Sequence, residues 1–173
     1  MKPQLLFVDD EDHVLEGLKL SLRNQRKTWE MHFASSGQAA LDLSQQQDFD
    51  LIVTDARMPG MSGVALLQAL RGGERTVNIP TIMLTGSLAG DVRQAALKAG
   101  AVEFLNKPVD PEELVLRLRN VLRLKQISDE LQQKNGQLEE QNRKLIQLGR
   151  QLHAANQELA RHATTGSPDP APQ

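Results

Sequence analysis

Residues 5–13 read "LLFVDDEDH", so four apolar residues run directly into a group of acids that includes Asp9 and Asp10. A short continuous apolar run is typical of a strand that is buried on both faces of a sheet. Crowded carboxylates repel one another, and this costs free energy unless a cation or a proton relieves the repulsion. The stretch therefore predicts a buried strand that ends at an acidic site.

Four further apolar runs follow along the chain: "MHFA", "DLIVT", "TIMLT" and "AVEFL". Stretches with the period of an amphipathic helix lie between them: "HVLEGLKLSLRNQ", "GQAALDLSQQ", "GVALLQAL" and "DVRQAALKAG". Continuous apolar strands that alternate with amphipathic helices are typical of a parallel sheet with helices on both faces. The first part of the chain therefore predicts an α/β domain.

Polar residues follow several of the apolar runs, namely Asp9, Asp10, Asp55, Thr85 and Lys107. Because functional sites of open α/β sheets form at the carboxyl ends of the strands, we expect these residues to share one edge. Grouped carboxylates suit Mg²⁺, the lysine can hold an anion, and the threonine adds a hydroxyl donor. A carboxylate among such groups can attack phosphorus, so the pattern predicts a phosphoryl-accepting site.

The motifs "VDDE", "VTDARMPGMSG", "LTG" and "FLNKPVDPEEL" occur in this order within residues 1–122. With these motifs, residues 1–122 resemble the receiver domain of bacterial response regulators in two-component signalling. The resemblance implies a flavodoxin-like fold, which is a doubly wound five-stranded parallel sheet. It also implies that Asp55 accepts a phosphoryl group from a sensor histidine kinase or a phosphotransfer protein.

The resemblance further assigns the metal ligands. It implies Mg²⁺ held by Asp10, Asp55 and the main-chain carbonyl of Arg57, with Asp9 acting through water. Arg57 also stands where a phosphatase with a carboxylate nucleophile would need a second acid to protonate a leaving group, so we expect slow self-dephosphorylation at most and no enzymatic activity otherwise.

The resemblance also implies roles for the other motif residues in sensing phosphorylation and passing on the signal. Lys107 would contact the phosphoryl group, and the bond that joins it to Pro108 is expected to be cis. Thr85 and Phe104 would form a switch pair, which passes the signal to the face made by the fourth helix, the fifth strand and the last helix of the domain.

Each of these residues, taken alone, also has an ordinary structural interpretation. The acids after the first strand are good helix N-caps, and the later acid could start a turn. The lysine could be a solvated loop residue, the threonine a strand-end residue and the phenylalanine part of the core. The order and spacing of the motifs favour the shared site, which consists of Asp9, Asp10, Asp55, Thr85, Phe104 and Lys107.

Composition narrows the classes of function. The chain has 173 residues, no cysteine and a net charge of −2 at pH 7. These values argue against disulfides, cysteine zinc sites and a global nucleic-acid-binding charge. Neither a signal peptide nor an apolar run of membrane-spanning length stands out. We therefore expect a cytoplasmic protein that binds neither nucleic acid nor membrane.

A second segment, residues 123–163, carries a leucine at every seventh position. If the leucines occupy heptad position d, position a holds Val121, Ser128, Asn135, Asn142, Gly149 and Asn156. Leucine at d with asparagine at a predicts a parallel two-stranded coiled coil, and hence a homodimer. The predicted seam contains Leu124, Leu131, Leu138, Leu145, Leu152, Leu159, Asn135, Asn142 and Asn156. The Pro-rich residues 164–173 are predicted to be disordered.

Four alternatives remain open. A lone amphipathic helix, or two helices hinged at Asn135–Gly136, would also fit its polarity. A leucine-zipper transcription factor needs a basic helix before the leucines, but "LRLRNVLRLK" there carries an apolar stripe that we expect to pack on the sheet. The chain could also be the first part of a longer regulator whose output domain follows.

Overall fold

The computed structural model describes residues 2–86 and 90–164. The strands are β1 (Gln4–Val8), β2 (Glu30–Ala34), β3 (Leu51–Asp55), β4 (Thr81–Thr85) and β5 (Glu103–Asn106). The α-helices are α1 (Asp12–Ser21), α2 (Gly37–Gln46), α3 (Gly63–Arg71), α4 (Gly90–Lys98) and α5 (Pro111–Thr164). A 3₁₀ turn covers Arg23–Lys27. The tail predicted to be disordered lies outside the described residues from position 165 onward.

Within the described residues, five strands form a parallel sheet in the order β2-β1-β3-β4-β5. This is the doubly wound order of flavodoxin-like folds, so the predicted fold class is confirmed. The register places Val8 beside Thr54 and Thr85 beside Asn106. The residues that follow these pairs, Asp9, Asp55 and Lys107, therefore emerge at the same edge of the sheet.

Side chains alternate between the two faces of the sheet, as the period of a strand requires. Leu5 and Phe7 of β1 are buried in a cluster with residues of α1 and α5. Leu6 and Val8 are buried in a second cluster with residues of α2 and α3. Both faces of β1 are thus covered by helices, which explains why this strand is continuously apolar.

The last helix begins where the sequence predicts. Asp110 caps it, because its carboxylate accepts hydrogen bonds from the backbone N–H groups of Glu112 and Glu113 at 2.9 and 2.8 Å. Pro111 takes the first helical position, where its missing N–H has no cost. The helix continues through Asn135–Gly136 to Thr164, so the hinged alternative is wrong. The chain divides into two compact units after Gln126, inside α5.

Val121 fits both patterns predicted for this part of α5, because it stands at a heptad position a and also belongs to the apolar stripe expected to pack on the sheet. It is 8% exposed and packs in the domain core with Leu114 and Leu118, as the apolar stripe predicts. Leu124, three residues later, is 67% exposed. The core stripe and the leucine repeat overlap in this turn, and Val121 belongs to the core stripe. Across the described residues, no helix combines the length and the apolar character that a membrane span requires.

The two sides of α5 predict contrasting effects of the same substitution. Leu118 is fully buried in the core, whereas Leu116 is 58% exposed. We expect Leu118→Ala to lower the free energy of unfolding by about 2–5 kcal/mol, because it leaves a cavity. Leu116→Ala, the matched control, should change it by about 0.5 kcal/mol or less. Urea unfolding followed by circular dichroism measures both, and equal effects would contradict the packing of α5.

Candidate functional site

The carboxyl edge of the sheet holds a buried ion-pair cluster. The ammonium group of Lys107 lies 2.6 Å from Oδ2 of Asp9 and 3.2 Å from Oδ1 of Asp55. Asp9 is 1% exposed and Asp55 is 7% exposed. The other carboxylate oxygen of Asp9 accepts a hydrogen bond from the Glu11 backbone N–H at 3.0 Å. The cluster therefore joins the ends of β1 and β3 to the loop after β5.

Asp10 completes a group of three carboxylates. Carboxylate oxygens of Asp9, Asp10 and Asp55 all lie within 4.8 Å of one another, and Asp10 is exposed to solvent. This donor set fits Mg²⁺, which binds a few carboxylates and keeps several water molecules. Arg57 lies two residues after Asp55 with an exposed side chain. The role of its carbonyl oxygen as a ligand stays a prediction.

The pKa values of the cluster reflect burial and charge together. Burial raises the pKa of Asp55, and the positive charge and hydrogen bond of Lys107 oppose this shift without cancelling it. Burial would lower the pKa of Lys107, but the hydrogen bond to Asp9 and the charges of both aspartates outweigh it and raise that pKa. Lys107 is therefore a firmly protonated cation at neutral pH.

Gly63, which the sequence analysis did not single out, holds the backbone of Asp55 in place. A Cβ atom at Gly63 would lie 2.1 Å from the carbonyl oxygen of Asp55. The Gly63 N–H donates to the Ala56 carbonyl at 3.2 Å. Ser62 caps α3 by accepting from the Ala65 N–H at 3.2 Å. The "SG" pair after "MPGM" was the available signal, because serine is a preferred N-cap residue and glycine allows two backbones to approach closely.

The predicted switch residues, Thr85 and Phe104, lie on β4 and β5. Thr85 is buried at the end of β4, and its carbonyl accepts from the Lys107 backbone N–H at 2.8 Å. Phe104 is half-buried and packs against a cluster that includes Met83. The guanidinium carbon of Arg93 lies 5.7 Å from the centroid of the Phe104 ring. A coupled movement of Thr85 and Phe104 stays a prediction.

Two of the ordinary interpretations are wrong. Glu11, not Asp9 or Asp10, occupies the N-cap position of α1. Lys107 is not a solvated loop residue, because its side chain is 20% exposed and pairs with two carboxylates. The bond between Lys107 and Pro108 is cis, as expected. The seam leucines lie away from this cluster in sequence, on α5, and all are more than half exposed.

Comparison with known proteins agrees with this geometry. The sequence model of the family described as "Response regulator receiver domain" matches residues 5–119. The chain belongs to the response regulator receiver family. Receiver domains of this family are generally phosphoacceptors in two-component signalling and receive phosphoryl groups from histidine kinases. They typically bind Mg²⁺ at an acidic pocket like the one formed here by Asp9, Asp10 and Asp55.

Individual relatives share the receiver part. The transcriptional regulatory protein SrrA of Staphylococcus aureus is 36% identical over 123 residues, which are 71% of this chain and 49% of SrrA. The chain thus spans about half the length of the curated relatives it matches. The structure of chemotaxis protein CheY4 of Vibrio cholerae superposes with a TM-score of 0.65 at 30% identity, over 70% of this chain and 99% of CheY4. The structure of a putative response regulator from Chloroflexus aurantiacus superposes with a TM-score of 0.66 at 36% identity, over 71% of this chain and 99% of that protein.

The close approach at Gly63 predicts a substitution effect. Gly63→Ala should lower the free energy of unfolding by about 1–3 kcal/mol, because the new methyl group overlaps the Asp55 carbonyl. Gly17→Ala is the matched control: nothing lies within 4 Å of a Cβ atom there, so it should stabilise α1 by up to about 1 kcal/mol. Thermal unfolding measures both. A Gly63→Ala variant as stable as the parent would show that the backbone of Asp55 is not constrained in this way.

The raised pKa of Asp55 predicts a pH dependence of stability. Between about pH 3.9, where an unfolded aspartate titrates, and the raised pKa of the folded state, the folded receiver binds more protons. Its free energy of unfolding therefore falls as pH rises through this window. Asp55→Asn removes this loss, so without divalent cations it should be more stable than the parent at neutral pH and lose that advantage in acid.

The control for this experiment is Asp12→Asn, which removes an exposed carboxylate from the first turn of α1. This control substitution should give no comparable increase in the free energy of unfolding at neutral pH. Urea unfolding at a series of pH values, with a chelator present, measures all three proteins. A gain in Asp55→Asn that persists at the acidic end would show that ionisation of Asp55 is not its cause.

Proposed function

We propose that this receiver accepts a phosphoryl group on Asp55 from the phosphohistidine of a sensor kinase or phosphotransfer protein. The observation that carries the proposal is the Lys107 ammonium group, 3.2 Å from Asp55 at the end of β3. A carboxylate oxygen of Asp55 attacks phosphorus, the bond between phosphorus and the histidine nitrogen breaks, and that nitrogen keeps the electron pair. The product is an acyl phosphate on Asp55.

The side chains around Asp55 suit this transfer. Lys107 is protonated and can hold an oxygen of the phosphoryl group as it moves onto Asp55. A Mg²⁺ ion held by Asp10, Asp55 and the Arg57 carbonyl, with Asp9 acting through water, would neutralise charge on the phosphoryl oxygens. The buried Thr85 lies one residue beyond Leu84, the register partner of Asp55. Its hydroxyl is thus a candidate donor to a phosphoryl oxygen, and its movement would let Phe104 turn inward.

The output proposed here passes through α4, β5 and α5, and then through dimerisation of the α5 leucines in residues 123–163. Leu114, Leu118 and Val121 anchor α5 to the core that also contains the strands of the site. Every leucine from Leu124 to Leu159 in the repeat is more than half exposed. These observations support a receiver domain over residues 1–122 whose last helix continues into a coiled coil.

The structure disfavours the zipper-type transcription factor. The segment that would be its basic region contributes Leu118 and Val121 to the core. Arg117 pairs with Glu103 at 3.1 Å, and Lys125 pairs with Asp50 at 3.9 Å. A helix that contacts DNA in the major groove presents its cations to phosphate and bases, whereas in the folded receiver Arg117 and Lys125 are paired with carboxylates. We therefore infer a signalling role through protein contacts.

Phosphorylation with a small phosphodonor tests the proposed function. Acetyl phosphate and Mg²⁺ should place one acyl phosphate on the parent, as measured by intact-protein mass spectrometry and peptide mapping. Asp55→Ala should abolish the modification, whereas Asp12→Asn should keep it. Labelling that persists in Asp55→Ala, or that maps to another carboxylate, would remove the assignment.

A further inference from the structure

The leucine row of α5 has a polar neighbour row on one side and a partly apolar row on the other. We define the leucine row as Leu124, Leu131, Leu138, Leu145, Leu152 and Leu159. Three residues after each of the first five leucines lies the 127 row, which contains Ile127, Lys134, Gln141, Leu148 and Ala155. Four residues after them lies the 128 row, which contains Ser128, Asn135, Asn142, Gly149 and Asn156. Either row can complete a two-row coiled-coil seam, because both spacings occur between core positions of a heptad.

Burial of apolar area favours the 127 row. Ile127 is 44% exposed and Leu148 is 62% exposed in the isolated chain, so both have surface that a partner can cover. The 128 row offers no large apolar side chain, and Gly149 would leave a gap in a seam built on it. Ile146 is also an exposed apolar residue, and it lies on the same side of the leucine row as the 128 row. It is about 100° around the helix from Leu145, however, which is farther from the leucine row than the 128 row is.

We propose that a second copy of this chain packs in parallel on the leucine row and the 127 row, with the 128 row at the flank. This inference rests on the proposed dimerisation through α5 and changes its seam. Asn135, Asn142 and Asn156, which the sequence pattern places in the core of the coil, then border it. The partner is a second copy because each row repeats every seven residues, so that in-register parallel helices bring like residues together.

Polar residues in the middle of the 127 row fit a weak, register-restricted coil. Lys134 and Gln141 interrupt the row between Ile127 and Leu148. Polar core positions lower the stability of a coil while they restrict its register and oligomeric state. The long stem of Lys134 can lie against the leucines while its ammonium group reaches water.

Cysteine cross-linking of the full chain tests the assignment, because the parent contains no cysteine. The variants form two adjacent pairs: Ile127→Cys against Ser128→Cys, and Leu148→Cys against Gly149→Cys. Disulfides need Cα atoms within about 7 Å, so we expect the Ile127→Cys and Leu148→Cys variants to form covalent dimers roughly tenfold faster under mild oxidation. Non-reducing electrophoresis measures the rates, with and without beryllofluoride and Mg²⁺.

A second measurement does not depend on cysteine chemistry. Ile127→Asn should raise the dimer dissociation constant about tenfold or more in sedimentation equilibrium, which corresponds to one lost apolar core contact in each chain. Ser128→Asn, the matched control, should leave it within about twofold. Both positions lie outside the receiver core, so the receiver should stay folded in each variant.

Three results would overturn the assignment. Faster cross-linking of the Ser128→Cys and Gly149→Cys variants would place the 128 row in the seam. A dimer that none of the four cysteines links would exclude parallel, in-register packing. A monomer in both states of the receiver would exclude the interface altogether. Acyl phosphate formation at Asp55, measured in the same proteins, reports separately on the phosphoacceptor function, so failure of either proposal can be told from failure of the other.

Discussion

The Lys107 ammonium group makes it possible to bury Asp9 and Asp55 together. Two carboxylates that are almost fully buried would destabilise the fold if neither had a counterion, because removing one partner from a buried pair is strongly unfavourable. Lys107 contacts both, at 2.6 and 3.2 Å. This contact requires the ends of β1 and β3 and the loop after β5 to converge. The charge balance of the site therefore depends on the register of the sheet, because the register brings these strand ends together.

Under the proposed function, the same charge balance implies that the site needs a further cation when it holds a phosphoryl group. A phosphoryl group adds about −1.5 to −2 charges at neutral pH, in a place where burial already raises the pKa of Asp55. The Lys107 charge is already shared between Asp9 and Asp55. The exposed Asp10 leaves the group of three carboxylates open to solvent on one side. Under the proposed function, a hydrated Mg²⁺ ion can reach the site from that side.

The sequence predicts the sheet and the convergence of Asp9, Asp55 and Lys107 at its edge, because both depend on local pattern. Apolar strands that end in acids are visible in one dimension, and parallel topology brings their ends together. The requirement for Gly63 was missed because it depends on how closely α3 approaches the Asp55 carbonyl, which is a three-dimensional distance. Val121 fits two predicted patterns, because residues 114, 118, 121 and 125 follow a helical core stripe that overlaps the leucine repeat, and in the structure it packs in the core. Sequence periodicity alone cannot tell which of two overlapping stripes contains a residue that fits both.

That overlap is also the physical basis for coupling in the proposed function. Lys125 pairs with Asp50, and Asp50 accepts a hydrogen bond from the Gln4 backbone N–H at 2.8 Å, so α5 is tied to the start of β1 one residue after Leu124. A helix is stiff over so short a distance, so a rotation of α5 at Val121 turns Leu124 with it. Coupling free energies of about 1–3 kcal/mol shift an equilibrium by roughly 5- to 150-fold. Such a shift changes the dimer fraction substantially only when monomer and dimer are present in comparable amounts. A coil weakened by polar residues in its seam would meet this condition.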